Sequence, residues 1–397
     1  MTSRSSAPAS RRAWPVKAAR QRSRGDRRSR VPDDPGTGVG RGRDPRSVGA
    51  AGAGALRRQV DRALQARRLR HARRFKTAGE VHLVFGSGMA GVEMCIASVL
   101  SPGDEVLIPT NGLFGDRMAE VATANRLQVH SFSAGRGAIT AAQVRDELAA
   151  HPGVRAVCVV HHETSIGVLN EVEGICRAAR EHGALAIVDG ISAIGGVPFD
   201  MDAWGADLCV TVANKCIGGP IGVAPVAAGP RALAALDDGR PKAAGWYLNL
   251  ATWRRYSELW SGWHPHPTTM PTSVIEAFEL ALTRLLEEGV EARCRRLAAA
   301  RDRVREGLQE IGFEMLSPLA TASPVTTAAY GLEGMDVADY LGWLLSEHRI
   351  RIGGGLGELR GRIFRVGHMG RAAEPEAIDR FLRATAAYVE RMPPKTR

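Results

Sequence analysis

The feature that most constrains the fold is a regular alternation of short apolar runs with helical segments, which begins at about residue 79. Five apolar runs are typical of buried strands: VHLVF, EVLIP, VRAVCVV, ALAIVD and DLCVTV. Three segments between them have helical periodicity: GVEMCIASVL, AQVRDELAAH and EVEGICRAAREHG. Because parallel strands are usually joined by a helix, this order predicts an α/β domain with a mostly parallel sheet.

The pattern changes near residue 288, where two longer helical segments meet. These segments are SVIEAFELALTRLLEE and EARCRRLAAARDRVREGLQEIG, and a mixture of strands with one helix follows them. We therefore expect three parts: a basic, largely disordered arm over residues 1–76, a large domain over 77–287, and a smaller α+β domain over 288–397.

The positive charge of the chain is concentrated in the arm. The 397 residues include 53 lysines and arginines and 42 acidic residues. Residues 1–76 hold 22 of the basic and 5 of the acidic residues, so the rest of the chain holds 31 and 37. The body therefore offers no basic footprint for nucleic acid. We expect the arm, which is rich in Arg, Ser, Gly, Ala and Pro, to be disordered up to about Ala55.

The end of the arm has a pattern of its own. Residues 56–75, LRRQVDRALQARRLRHARRF, are typical of a basic amphipathic helix. A start that is rich in Ser and Arg and poor in acidic residues is typical of an organelle transit peptide, and a misassigned start codon produces the same composition. Both interpretations stay open.

Cysteine spacing and hydropathy indicate the compartment. The six cysteines show no CxxC spacing and most lie in apolar segments, so we expect buried thiols in a cytoplasmic protein. No run of about 18 apolar residues occurs, and we expect no membrane span.

The segment FGSGMAGVEMCI has the pattern of a strand, a glycine turn and a helix. At such a helix start, around Ser87, Gly88 and Met89, backbone N–H groups approach an anion closely and the helix dipole favours it. A plain tight turn explains the same residues.

Two charged residues stand at the ends of predicted strands. Asp189 ends ALAIVD, and Lys215 follows one strand later in VTVANKCIGG. Ligands of open α/β sheets gather at the carboxyl ends of strands. A lysine held in a closed site can condense with an aldehyde, and a nearby carboxylate can hold a protonated pyridine nitrogen. The alternatives are a lysine that extends to solvent and an aspartate that caps a turn.

Two further residues complete a set. Phe114, in NGLFG, is suited to cover the face of a ring, and Thr164, in HHETSIG, offers a hydroxyl at another strand end. Pyridoxal phosphate accounts for all five features at once, because it combines an aldehyde, a pyridine nitrogen, a ring face, a phenolic oxygen and a phosphate.

Six motifs follow one another along residues 79–397: GSGMAGVE, NGLFGDRM, HHETSIGVLN, VDGISAIGG, ANKCIGG and FRVGHMG. In this order and spacing the chain resembles the class V aminotransferases, which are pyridoxal phosphate enzymes of fold type I. The resemblance implies a homodimeric transaminase with its active site at the dimer interface. Its partners would be a small amino donor and a 2-oxo acid.

The resemblance also implies roles for residues at matching positions. Lys215 is the lysine that binds the cofactor aldehyde, Asp189 is the partner of the pyridine nitrogen, and Arg365 binds the substrate carboxylate. The other implied cofactor-binding residues are Ser87, Gly88, Met89, Phe114, Thr164 and Thr269. Of these, Thr269 matches a position that reaches the cofactor phosphate of the neighbouring subunit.

Two branches of the family compete for the substrate. ANKCI and HHETS resemble 2-aminoethylphosphonate–pyruvate aminotransferase, whereas GGGLGELRGRIFRVGHMG resembles the alanine–glyoxylate and serine–pyruvate aminotransferases. We favour the phosphonate branch because its motifs surround the cofactor, although His264 stands where that branch has an arginine. Cysteine desulfurases are disfavoured, since they place a histidine where this chain has Asn214. The Pro-Gly-Pro segment with which the family normally starts has no match in residues 1–76.

A function of a different class stays open: an inactive enzyme fold that acts as a binding protein through its basic arm. We expect no metal site, because His161–His162 and the HPHP segment have no carboxylate or cysteine at ligand spacing.

Overall fold

A computed structural model describes residues 75–261 and 264–392. The expected disorder up to Ala55, and all but the last residue of the helix expected over 56–75, lie outside the described residues. All six cysteines are free thiols, five of them buried. Within the described ranges, no helix combines the length and the apolar character that crossing a membrane requires.

The strands and helices of the described residues are numbered here in chain order. The strands are β1 Glu80–Phe85, β2 Glu105–Leu107, β3 Gln128–His130, β4 Val154–Val160, β5 His162–Glu163, β6 Val168–Leu169, β7 Leu185–Asp189, β8 Leu208–Val210, β9 Val223–Ala228, β10 Thr326–Tyr330, β11 Gly353–Gly354 and β12 Ile363–Gly367. The α-helices are α1 Gly88–Val99, α2 Leu113–Ala124, α3 Ala141–Ala150, α4 Val172–His182, α5 Met201–Trp204, α6 Pro230–Leu236, α7 Leu250–Leu259, α8 Thr272–Glu288, α9 Val290–Ile311, α10 Val337–His348 and α11 Pro375–Glu390.

The central sheet has seven strands in the order β1–β9–β8–β7–β4–β2–β3. The five strands β8, β7, β4, β2 and β3 are parallel to one another, whereas β9 runs antiparallel to both β1 and β8. The prediction of a mostly parallel α/β sheet is confirmed.

Strand β9 is not among the five runs predicted as strands, and its segment VAPVAA contains a proline in the middle. Proline cannot donate a ladder hydrogen bond and is disfavoured inside a sheet. Here the carbonyl of Pro225 carries the pairing, since it accepts a hydrogen bond from the N–H of Thr211 at 3.0 Å.

Helices cover both faces of this sheet and bury two separate apolar clusters. One cluster includes Ile96 of α1, Trp253 of α7 and Phe278 of α8. The other includes Val144 of α3 and Ile175 of α4. Removal of this apolar surface from water is the main force that holds the layers together.

The last part of the chain forms a second sheet, in which β12 lies between β10 and β11 with antiparallel pairing to both. A third apolar cluster, which includes Leu297 and Tyr340, packs helices α9, α10 and α11 around it. Gly289, at φ +83°, separates α8 from α9 near the expected boundary at residue 288. The division into domains over 77–287 and 288–397 stays a prediction.

Candidate active site

The carboxyl ends of three adjacent strands bring several of the predicted residues to one edge of the central sheet. Asp189 is the last residue of β7, Lys215 lies in the turn after β8, and Thr164 lies just beyond the end of β4. Because β4, β7 and β8 are parallel neighbours, their carboxyl ends open at the same side.

Asp189 is a buried carboxylate, only 4% exposed. Its Oδ1 accepts a hydrogen bond from the N–H of Ile191 at 2.8 Å. Burial raises the pKa of Asp189 to about 7, the charge of Glu163 acts in the same direction, and the Ile191 hydrogen bond and the charge of Lys215 oppose them. A positive partner at this carboxylate would restore its ionised form, and a protonated pyridine nitrogen is such a partner.

Lys215 is partly buried in a tight turn, in which its carbonyl accepts a hydrogen bond from the N–H of Gly218 at 3.0 Å. Across the described part of the chain, the Lys215 ammonium has no hydrogen-bonding or ion-pair partner. The side chain is therefore free to react with a ligand.

The turn before α1 packs directly against this edge. The hydroxyl of Ser87 caps the helix by accepting from the N–H of Ala90 at 3.3 Å. A Cβ on Gly88 would lie 2.5 Å from Ile191 Cδ1 and 2.9 Å from Val212 Cγ1, so no larger residue fits without a shift. The first N–H groups of a helix lack intrahelical acceptors, and this helix start packs on Ile191 and Val212, which are two and three residues from Asp189 and Lys215.

Glu163 connects Phe114 to the same edge, and sequence analysis did not single it out. Its Oε2 accepts hydrogen bonds from the N–H groups of Phe114 and Gly115, at 3.0 and 3.1 Å, and its Oε1 accepts from Ser165. Burial raises the pKa of this fully buried carboxyl, and these hydrogen bonds oppose the rise. A carboxylate at the start of α2 is also favoured by the helix dipole. The signal that marked Asp189, an acidic residue after a buried strand, was present for Glu163 too.

Arg365 reaches the site from the second sheet. Its Nε donates to the carbonyl of Gly354 at 2.9 Å, and its Nη1 donates to the carbonyl of Thr164 at 3.0 Å. Burial lowers the pKa of Arg365, and the nearby charge of Glu163 raises it. Two backbone acceptors therefore fix the plane of the guanidinium beside Thr164 and leave part of its fork for a ligand.

The structure does not join every predicted residue to this cluster. Thr269 is exposed in the single chain, shortly after the undescribed residues 262–263. Its predicted role concerns a neighbouring subunit, so one chain does not test it. His264 lies beside the rings of Trp260 and His266, and its Nδ1 is 3.1 Å from the carbonyl of His266.

Sequence analysis assigned no role to His162, which is 2% exposed. Its Nδ1 lies 3.1 Å from the carbonyl of Ser192, so this nitrogen carries the proton and donates it. The pKa of His162 is lowered to about 3, chiefly by burial; the charges of His161, His368 and Lys215 act in the same direction, and the hydrogen bond to Ser192 opposes them. No group of three or more histidines, cysteines or acidic residues suited to a metal ion occurs among the described residues.

A comparison with protein families decides the identity. The model of the class V aminotransferases (Aminotransferase class-V) matches residues 49–358. The chain belongs to the class V aminotransferase family. It is a pyridoxal-phosphate-dependent transaminase, and the fold-type-I prediction is confirmed.

Relatives of this transaminase differ in the substrates that their names give. The 2-aminoethylphosphonate–pyruvate transaminase of Vibrio cholerae is 32% identical over 76% of this chain and 81% of its own length. The pyridoxamine–pyruvate transaminase of Mesorhizobium japonicum is 31% identical over 80% of this chain and 78% of its own. The solved structure of alanine–glyoxylate aminotransferase from Nostoc sp. superimposes with a TM-score of 0.77, at 32% identity, covering 82% of this chain and 85% of that one.

Proposed function

We propose that this transaminase moves the amino group of 2-aminoethylphosphonate to pyruvate or a similar small 2-oxo acid. The observation that supports the proposal is that Asp189 and Lys215 lie at and after the carboxyl ends of the neighbouring strands β7 and β8, while Arg365 binds the carbonyl of Thr164 after β4. They would supply, in turn, a partner for the ring nitrogen, an amine for the cofactor aldehyde, and a cation for a carboxylate.

Two residues would carry the chemistry. Bound pyridoxal phosphate supplies an electron sink for the negative charge that develops on the substrate carbon. Lys215 would hold the cofactor aldehyde through Nζ and would carry a proton to and from that carbon. Asp189 keeps the pyridine nitrogen protonated, and its burial and raised pKa indicate that it needs such a cation.

The remaining predicted residues would hold the cofactor in place. The N-terminus of α1, with Ser87, Gly88 and Met89, binds the phosphate through backbone N–H groups. Phe114 covers the ring face, and its backbone position is fixed by Glu163. Thr164 offers its hydroxyl to the phenolic oxygen. The close packing of Gly88 on Ile191 and Val212 supports a single cofactor site.

Arg365 would bind the carboxylate of the 2-oxo acid. A guanidinium presents a planar fork that matches a carboxylate with two parallel hydrogen bonds. The carbonyls of Gly354 and Thr164 orient this fork before the substrate arrives. Such preorganisation lowers the entropic cost of binding.

The protein would act as a homodimer in the cytoplasm, with Thr269 of each subunit near the cofactor phosphate of the other. Residues 77–287 would supply the cofactor site, and residues 288–397 would supply Arg365. Size-exclusion chromatography with light scattering tests the assembly. An active monomer would contradict it.

Two candidates compete for the role of amino donor. The Vibrio cholerae relative supports 2-aminoethylphosphonate, as do the motifs around Lys215 and Thr164. His264 favours alanine or serine instead, because a histidine carries less positive charge at pH 7 than the arginine found there in the phosphonate branch. The Nostoc structure supports that second candidate.

The two candidates are separated by a half-reaction. The cofactor-loaded enzyme is mixed with 2-aminoethylphosphonate, alanine or serine, each without a 2-oxo acid, and the visible absorbance of the cofactor is followed. We expect 2-aminoethylphosphonate to convert the cofactor to its amino form at the lowest concentration. Conversion by alanine or serine alone would replace the first candidate with the second.

A further inference from the structure

A pocket of about 500 Å³ opens beside the loop that follows Lys215. Its walls are that loop, helices α8 and α9, and residues 370–374 after β12. The volume is in the range of small-molecule sites, about 300–1,000 Å³. The lining shares no residue with the cofactor or substrate residues named above.

Four arginines dominate the charge of this pocket: Arg284, Arg293, Arg296 and Arg371. Glu374 is the acidic residue in the lining. A second carboxylate, Glu288, accepts from Nε of Arg293 and Nε of Arg296, each at 2.7 Å. These arginines lower the pKa of Glu288, Arg296 most strongly. Four positive charges against two negative ones leave a formal excess of two.

Two of these arginines are available to bind a ligand. Arg284 and Arg371 are exposed, and neither side chain has a hydrogen bond or ion pair with any described residue. Arginine forks are suited to binding phosphate or carboxylate oxygens in pairs. Unpaired guanidinium groups that converge on a concave pocket are the arrangement that binds a small anion.

The other two arginines link the pocket to the active site. Nη1 of Arg293 donates to the carbonyl of Cys216 at 3.0 Å, and Cys216 directly follows Lys215. Nη1 of Arg296 donates to the carbonyl of Gly370 at 3.4 Å, in the segment that follows β12. Both arginines donate hydrogen bonds to Glu288, so a displacement of one of them changes the hydrogen bonding of the other.

We propose that this pocket binds a small anion with at least two negative charges, which competes with Glu288 for Arg293 and Arg296. Arg284 and Arg371 supply the additional positive charge that attracts the anion. Release of Arg293 from Glu288 alters its hydrogen bond to Cys216, and through it the position of Lys215. The pocket is thus an effector site coupled to the catalytic lysine.

The test uses the cofactor-loaded enzyme and inorganic pyrophosphate, titrated calorimetrically at constant ionic strength. We expect saturable binding that weakens by about tenfold or more in the double variant Arg284→Ala/Arg371→Ala, because two charge-assisted contacts are lost. Glu288→Gln removes the competing charge and keeps the shape, so it should strengthen binding. The matched control is Arg295→Ala/Arg383→Ala, which removes two exposed arginines of α9 and α11 outside the pocket lining.

A second readout follows the cofactor. Pyrophosphate should shift the visible absorbance of the bound cofactor in the wild type and the control, and not in Arg284→Ala/Arg371→Ala at the same concentration. The proposal is overturned by equal affinity in the pocket and control variants, or by the absence of saturable binding. Release of the cofactor by pyrophosphate would place the anion at α1 and overturn it as well. If the double variant does not fold, the comparison of Glu288→Gln with the wild type decides alone.

Discussion

Arg365 donates a hydrogen bond from Nη1 to the backbone carbonyl of Thr164 across 3.0 Å, which ties the second sheet to the end of β4. The same guanidinium donates from Nε to Gly354 at 2.9 Å. The orientation of the proposed carboxylate-binding group is therefore set by backbone atoms from two different parts of the chain.

The first prediction follows from this fork. Arg365→Lys keeps a positive charge but lacks the geometry to hold two carbonyls and a carboxylate together. We expect the KM for pyruvate to rise about 10- to 100-fold, with a smaller change in kcat. The control is Arg362→Lys, at an exposed position just before β12. Steady-state kinetics that show equal KM values for both variants would remove Arg365 from substrate binding.

The second prediction concerns the charge of Asp189. Asp189→Asn keeps the size of the side chain and removes the carboxylate that would hold the ring nitrogen protonated. We expect kcat to fall by about 100-fold or more and the cofactor to bind more weakly. Asp146→Asn, at an exposed position of α3, is the control. If kcat and cofactor affinity are unchanged in Asp189→Asn, the aspartate only caps the turn at Ile191.

The third prediction concerns the turn before α1. A Cβ at residue 88 would meet Ile191 at 2.5 Å, so Gly88→Ala should displace the helix start and weaken cofactor binding about tenfold or more. The matched control is Gly342→Ala in α10, where an added Cβ meets no atom within 4 Å. That change should stabilise the protein by up to about 1 kcal/mol and leave cofactor affinity unchanged. Fluorescence titration of the cofactor-free proteins measures both affinities, and equal values would refute a cofactor site at this turn.

The fourth prediction is a loss of stability in acid. Burial lowers the pKa of His162 to about 3 and the pKa values of His161 and His368 to about 4, from 6.5. Below pH 6.5 the unfolded chain binds protons at these sites and the folded chain does not. The free energy of unfolding therefore falls as the pH drops from 6.5 towards 4.

His162→Gln removes one of these sites and should reduce the loss of stability between pH 7.5 and pH 5 by about 2 kcal/mol. Urea unfolding of the cofactor-free proteins at the two pH values measures the difference. His182→Gln, which removes a histidine from a position on α4 that is not buried, is the control. A loss in His162→Gln equal to that of the wild type would contradict the prediction.

Much of this site follows from local sequence patterns. Asp189 and the turn at Gly88 each lie where an apolar run that predicts a strand comes to its end. Such strand ends define one edge of a parallel sheet, where ligands bind. The role of Lys215 could be predicted only with the family motif as well, since an isolated lysine usually extends to solvent.

What could not be predicted depends on contacts between distant segments. Glu163 is an acceptor for Phe114, 49 residues earlier in the chain, and no local pattern pairs the two. Strand β9 contains Pro225, a residue that is disfavoured inside a sheet. The structure shows that the carbonyl of Pro225 accepts a hydrogen bond from the N–H of Thr211, which the sequence alone does not indicate. The arginine pocket likewise joins α8, α9 and the loop after Lys215, which the sequence separates widely.

The central claim is that Lys215 binds the cofactor aldehyde, and chemical reduction tests it most directly. Borohydride treatment of the cofactor-loaded enzyme converts a lysine–cofactor link into a stable bond, and peptide mass spectrometry then locates it. We expect the added mass on the peptide that contains Lys215, and none on Lys215→Ala, which should remain folded. Labelling of Lys242 or another lysine in its place, or full turnover by Lys215→Ala, would contradict the account.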